Sequence, residues 1–186
     1  KFGHVDILVN NAGSRPGKDR VVVVELEEEA FDEVQRVNVR GTYLCSKAVA
    51  QHMIARGGGG KIINISSGAG KRGIARYAAY CASKFAIIGF TEAMSKEVAQ
   101  YRVNVNAICP GLVDTERGDF IAAALAPEGE SGIEYRAGMV QQASARVPMG
   151  RITQPDDIAK AAAFLASGES DYMTGLALSV NGGEHG

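Results

Sequence analysis

In the stretch YAAYCASK, residues 77–84, a lysine stands four positions after the second tyrosine. On a helix that spacing brings Tyr80 and Lys84 onto one face, within side-chain contact. A free phenol has a pKa of about 10 and is a poor base at neutrality. An ammonium beside a phenol favours the phenolate and brings acid/base work into range. Tyr77 lacks such a partner, because Cys81 stands at the same spacing, and it reads as loop or substrate-side packing. Ser67 precedes Tyr80 at the end of an expected parallel strand, where α/β sheets gather ligands. A hydroxyl there can hydrogen-bond the same carbonyl or alcohol oxygen that the tyrosine protonates. The pair alone would also suit a solvated helix face, so the weight falls on what surrounds it.

The elements that must position these groups alternate between short apolar runs and longer helical patterns, as βαβ units with a parallel sheet do. Val5–Val9 (VDILV) is expected as a buried strand, with the loop NNAG after it. A helix is predicted from about Glu28 to Arg56, its apolar stripe including Phe31, Val34, Val37, Leu44, Cys45, Ala48, Val49 and Met53. Gly57–Gly60 ends it. Lys61–Ile65 is the second strand and Tyr77–Val98 a second long helix, rich in small residues that allow close approach of another helix or subunit. Arg102–Ile108 is the third strand, turning at Cys109-Pro110-Gly111. Residues 116–148, with helical pieces such as Asp119–Ala126, read as a mobile substrate cap within a single domain spanning residues 1–186. Asp156–Ala166 is an amphipathic helix with Pro155 as its start signal, and Leu176–Val180 is the last strand. The expected class is α/β: part of a doubly wound parallel sheet of about four strands.

The chain has 186 residues, 46% of them hydrophobic and 6% aromatic, with a formal charge of −1. That balance gives no reason to expect a nucleic-acid partner or an anionic membrane surface, and no apolar stretch is long enough to span a bilayer. Cys45, Cys81 and Cys109 follow no metal-ligand spacing and read as reduced core thiols of a cytosolic protein. His4, His52 and His185 are scattered, so no metal site is expected. Gly68-Ala69-Gly70-Lys71-Arg72-Gly73 fits G-x-G-x-x-G after a strand. The acidic residue that should end another strand about 20 residues on would fall inside the helix at Phe90–Glu97, so the run reads as an ordinary flexible loop.

Taken together, NNAG at Asn10–Gly13, VNVRG at Val37–Gly41, NISS at Asn64–Ser67, YCASK at Tyr80–Lys84, ICPG at Ile108–Gly111 and VNGG at Val180–Gly183 resemble, in order and spacing, the short-chain dehydrogenase/reductase family. The resemblance covers nearly the whole chain and is nearest to the single-domain polyol and diol dehydrogenases and oxoacyl reductases. It implies reversible oxidation of a secondary alcohol to a ketone with NAD or NADP, the two not being distinguishable here. It implies Tyr80 as acid/base, Lys84 as the group that lowers its pKa and holds the nicotinamide ribose, and Ser67 as the orienter of the substrate carbonyl. Asn38 would hold a water relaying protons from Lys84; a polar side chain on the stripe of Phe31, Val34, Gly41 and Cys45 needs such a reason. Asn10, Asn11, Ala12 and Gly13 would line the adenosine side, while Pro110, Gly111, Val113 and Thr115 would lie along the cofactor, the last two at the carboxamide. A small alcohol or ketone would be the substrate, and a homotetramer or dimer in the cytoplasm the working form.

Relative to the family pattern, a first strand, a glycine-rich turn and further strands would be expected before VDILVNNAG. Lys1 in place of Met favours a longer working protein over a true truncation. Without those strands Val5–Val9 would stand as an apolar edge. A non-catalytic remnant presenting the small-residue helix to a partner is the alternative. The sugar-nucleotide epimerase branch, which shares YxxxK, would need a C-terminal substrate domain. At Tyr101-Arg102-Val103-Asn104 a glycine suited to a left-handed helix end is replaced, at a cost of about 1 kcal/mol.

Overall fold

The computed structural model describes residues 3–184; Lys1 and His185 lie outside them. Four strands, β1 (Ile7–Asn10), β2 (Gly60–Ile65), β3 (Val103–Pro110) and β4 (Ala177–Val180), form one parallel sheet in the order β1-β2-β3-β4. The register runs Asn10 opposite Asn64, Asn64 opposite Ala107, and Ala107 opposite Ala177. Because every strand runs the same way, their C-terminal ends share one rim, and the loops after Asn10, Ile65, Pro110 and Val180 meet there.

Alternation along β2 and β3 sends side chains to two cores. On one face Ile62, Val103 and Val105 pack with Ala50 and Met53 of α2 (Gly41–Arg56) and Met94 and Val98 of α3 (Ala78–Val98). On the other, Ile63 and Ile108 pack with Leu165 of α6 (Pro155–Ala166), backed by Ile158 and Ala162. Near-continuous apolar runs such as KIINI are what a sheet covered on both faces requires. β1 and β4 are the edges among the described strands; in β1 Leu8 packs inward, but Ile7 and Val9 are 46% and 45% exposed.

The long helix expected over Glu28–Arg56 is interrupted. α1 (Glu28–Gln35) leads into a π-helical segment at Arg36–Arg40 before α2 begins. One extra residue in a turn rotates everything after it, so the expected stripe does not stay inside. The buried positions run Val34, Asn38, Thr42, Ser46, Ala50 and Met53. Phe31 and Leu44 are exposed, and so is Cys45, which is therefore not a core thiol as expected; Cys81 and Cys109 are buried and free. The segment expected as a cap with helical pieces such as Asp119–Ala126 contains two helices, α4 (Arg117–Leu125) and α5 (Gly132–Arg146). They pack closely, the backbone of Gly132 lying against Ala123. Among the described residues no helix is long and apolar enough to cross a membrane, and no cluster of His, Cys, Asp or Glu could hold a metal ion.

Candidate active site

The NNAG loop leaves β1 with Asn10 turned inward. Its amide donates to Ser46 of α2 at 2.9 Å and to Asn64 of β2 at 2.8 Å, and Asn64 in turn donates to Thr91 of α3. This buried chain ties the edge strand to its neighbour and to both helices. Asn38 fixes the other end of the loop. It sits fully buried in the π segment, accepts from the Ser14 amide at 2.7 Å and donates to Ser83 of α3 at 2.9 Å. The wider turn lets one asparagine reach both the loop and α3, a use typical of π-bulges at functional sites.

At the end of β2 the chain turns through a short 3₁₀ segment, Gly68–Gly70, whose three residues are all buried. A Cβ on Gly70 would lie 2.7 Å from both the Lys84 carbonyl and the Ser66 hydroxyl. The glycines here serve close packing against α3 rather than flexibility or phosphate binding. Ser67 caps the segment by accepting from the Ala69 amide at 3.1 Å, which orients its oxygen and leaves its hydroxyl hydrogen to donate.

Tyr80 and Lys84 share a face of α3, the Lys84 Nζ standing 5.5 Å from the Tyr80 ring centroid. Lys84 is 4% exposed and donates to the Ile65 carbonyl at 2.9 Å. Burial pushes its pKa down, the neighbouring Tyr80 opposes that, and Arg117 adds to it. Tyr77, just before α3, meets Tyr80 edge to face at 6.2 Å. Burial pushes its phenol pKa up, against the pull of Arg20.

Ser67, Tyr80 and Lys84 open onto one cavity of about 730 Å³ at the strand rim. Asn11, Gly13, Pro110, Gly111, Val113 and Thr115 line it too. Asn10 and Ala12 do not, and Asn38 stands behind the wall. Several lining groups carried no sequence signal. Arg20, from the loop between β1 and α1, lies with its guanidinium 4.2 Å from the Tyr77 ring centroid and 4.8 Å from that of Tyr80. Arg117 approaches the Tyr80 ring to 5.6 Å and donates to the Ser14 carbonyl. Three cations around one phenol favour negative charge on an oxygen reacting there. Met139, Gln142 and Arg146 come from α5.

The chain matches the family model described as enoyl-(acyl carrier protein) reductase over residues 1–185. It is 42% identical over 184 residues to a galactitol 2-dehydrogenase of Agrobacterium fabrum, covering 98% of this chain and 69% of that protein. It is 40% identical to a sorbitol dehydrogenase of Cereibacter sphaeroides, with the same shares covered. Among solved structures, a putative 2-deoxy-D-gluconate 3-dehydrogenase from Agrobacterium tumefaciens with bound NADP superposes with a TM-score of 0.82 at 35% identity, over 96% of this chain and 67% of that one.

Proposed function

The chain belongs to the short-chain dehydrogenase/reductase family and is an NAD(P)-dependent oxidoreductase; from that premise we propose that it interconverts a secondary alcohol and a ketone with Tyr80 as acid and base. The observation that carries this reading is the convergence of Ser67, Tyr80 and Lys84 on one cavity at the strand rim.

The donor set fits a nicotinamide nucleotide. Lys84 has no carboxylate partner among the described residues and spends one N–H on Ile65, leaving two for acceptor oxygens such as ribose hydroxyls. Val113 and Thr115 line the same cavity and would hold the carboxamide, with Asn11 and Gly13 also on its lining. The chemistry supplied by the bound cofactor is hydride exchange with the substrate carbon. In the oxidative direction Tyr80 takes the proton of the substrate hydroxyl; in the reductive direction it returns one. Ser67, its lone pair engaged by the Ala69 amide, donates to the substrate oxygen and fixes it near the phenol. Lys84 supplies positive charge beside the reacting oxygens as the proton leaves. Asn38 acts as a positioning residue through Ser14 and Ser83. With its side chain so committed, a relay water would use the second lone pair of its main-chain carbonyl, which already accepts from Thr42.

A homo-oligomer, dimer or tetramer, fits the exposure of Tyr43, Leu44 and Phe85 on α2 and α3. Free thiols at Cys45, Cys81 and Cys109 suit the cytoplasm.

Replacing Tyr80 by Phe removes the proton carrier while keeping the ring between its cations. Turnover of a secondary alcohol should fall by about 10²–10⁴-fold, with NADPH binding, read by fluorescence, retained. Undiminished turnover would exclude Tyr80 from the proton transfer.

A further inference from the structure

Arg20 is 1% exposed, yet its Nε has no hydrogen-bond partner. Asp19 balances its charge through Nη1 and accepts from the Gly17 amide with its other oxygen, so that carboxylate is fully engaged. Arg20 is a lining residue of the Tyr80 cavity, its guanidinium lying against the Tyr77 and Tyr80 rings. Buried N–H groups are almost always paired in native proteins, so a guanidinium held this way at a cavity wall asks for an explanation. Arg117 reaches the same space with one Nη engaged by Ser14, and Arg146 lines it from the end of α5. Neither has a carboxylate partner among the described residues. The acidic lining residue, Glu184, is engaged with Arg72 at 2.8 Å.

Ile74, Ile121 and Met139 line the same cavity. Arginines donate and never accept. A neutral polyol carries hydroxyls that each need an acceptor as well as a donor, and Arg20, Arg117 and Arg146 offer donors only. An anionic oxygen group accepts only, and a carboxylate or phosphate matches the planar guanidinium fork. We propose that the substrate carries such an anionic group close to the reacting carbon, held by Arg20, Arg117 and Arg146, so that the preferred class is a hydroxy acid or a phosphorylated alcohol rather than a neutral polyol. This names the substrate class of the oxidoreductase site and rests on that reading.

The test compares compounds that share a carbon skeleton: glycerate, glycerol phosphate and glycerol, then gluconate, glucitol phosphate and glucitol. Binding to the full chain is read as the shift in melting temperature, with and without NADP, and turnover is read separately. At least one acid or phosphate should bind about tenfold more tightly than its neutral counterpart, and added salt should erode that advantage. The acid and phosphate arms tell the two sources of charge apart. Arg146→Gln, on an exposed side chain free of ion pairs among the described residues, should cut the ratio of anionic to neutral binding about tenfold; Arg117→Gln should act in the same direction. Equal binding of anionic and neutral compounds, or variants that weaken both alike, overturns the anion site. Turnover of neutral polyols without anion preference would remove this proposal and leave the oxidoreductase reading standing. Anion binding that responds to Arg146→Gln without any turnover would do the reverse.

Discussion

Lys84 holds a buried ammonium on one hydrogen bond, an arrangement that helps the reaction and costs the fold. Burial outweighs the opposing pull of Tyr80, so its folded pKa lies below the ordinary 10.5. Fewer protons are then bound folded than unfolded, and the sign follows: stability rises with pH between the lowered value and 10.5, and below both the cost is constant. Replacing Lys84 by Met keeps the stem and removes the charge. Melting should rise by about 2–4 °C, the response to roughly 1 kcal/mol in a chain of this size, while turnover is lost. A variant that melts lower would mean that the Ile65 hydrogen bond outweighs desolvation. The Tyr80–Lys84 pair was legible because four residues along a helix fix a shared face. Asn38 was legible as a polar residue where the pattern wanted an apolar one. Arg20 was not: nothing in Lys18-Asp19-Arg20 marks burial, and its guanidinium lies against the distant Tyr77 and Tyr80 rings.

The strands were found to within a residue or two, since buried parallel strands advertise themselves as β-branched runs. The π segment at Arg36–Arg40 was illegible, because helical periodicity assumes a constant turn and this one inserts a residue. α5 was missed although Ser131 and Glu134 form a capping pair, Ser131 accepting from the Glu134 amide at 3.2 Å and donating to its carboxylate at 2.8 Å; its weak apolar content hid that start signal. After α3, Arg102 takes φ 59° and ψ 32°, the left-handed conformation glycine prefers. The turn keeps its geometry, since the Arg102 carbonyl accepts from the Gly60 amide at 3.2 Å and so sets the entry to β2. A side chain in that conformation costs about 1–2 kcal/mol. Glycine would recover that but add freedom to the unfolded chain. Arg102→Gly should therefore stabilise by about 0.5–1 kcal/mol in denaturant titration, with an unchanged slope. A loss of stability would mean that the arginine makes compensating contacts in solution.

Every strand contributes a loop to one rim, so the site depends on the sheet as a body, and the Asn10–Asn64–Thr91 chain passes rigidity from the edge strand to the helix bearing Tyr80. In the chain of residues 1–186 that strand also exposes Ile7 and Val9, with no strand paired on its outer side among the described residues, and such an edge invites strand-to-strand association. A second apolar surface, with Tyr43, Leu44 and Phe85, lies on helices and offers side chains only. The two should behave differently. Pairing at an open edge has no built-in stopping point, whereas helix faces close into symmetric assemblies. Val9→Lys should reduce concentration-dependent, polydisperse association in sedimentation velocity while changing stability by less than about 0.5 kcal/mol. Leu44→Lys should instead split a defined oligomer into smaller units and leave the polydisperse fraction in place. If Val9→Lys alone dissolved a discrete species, β1 rather than the helix pair would be the assembly surface.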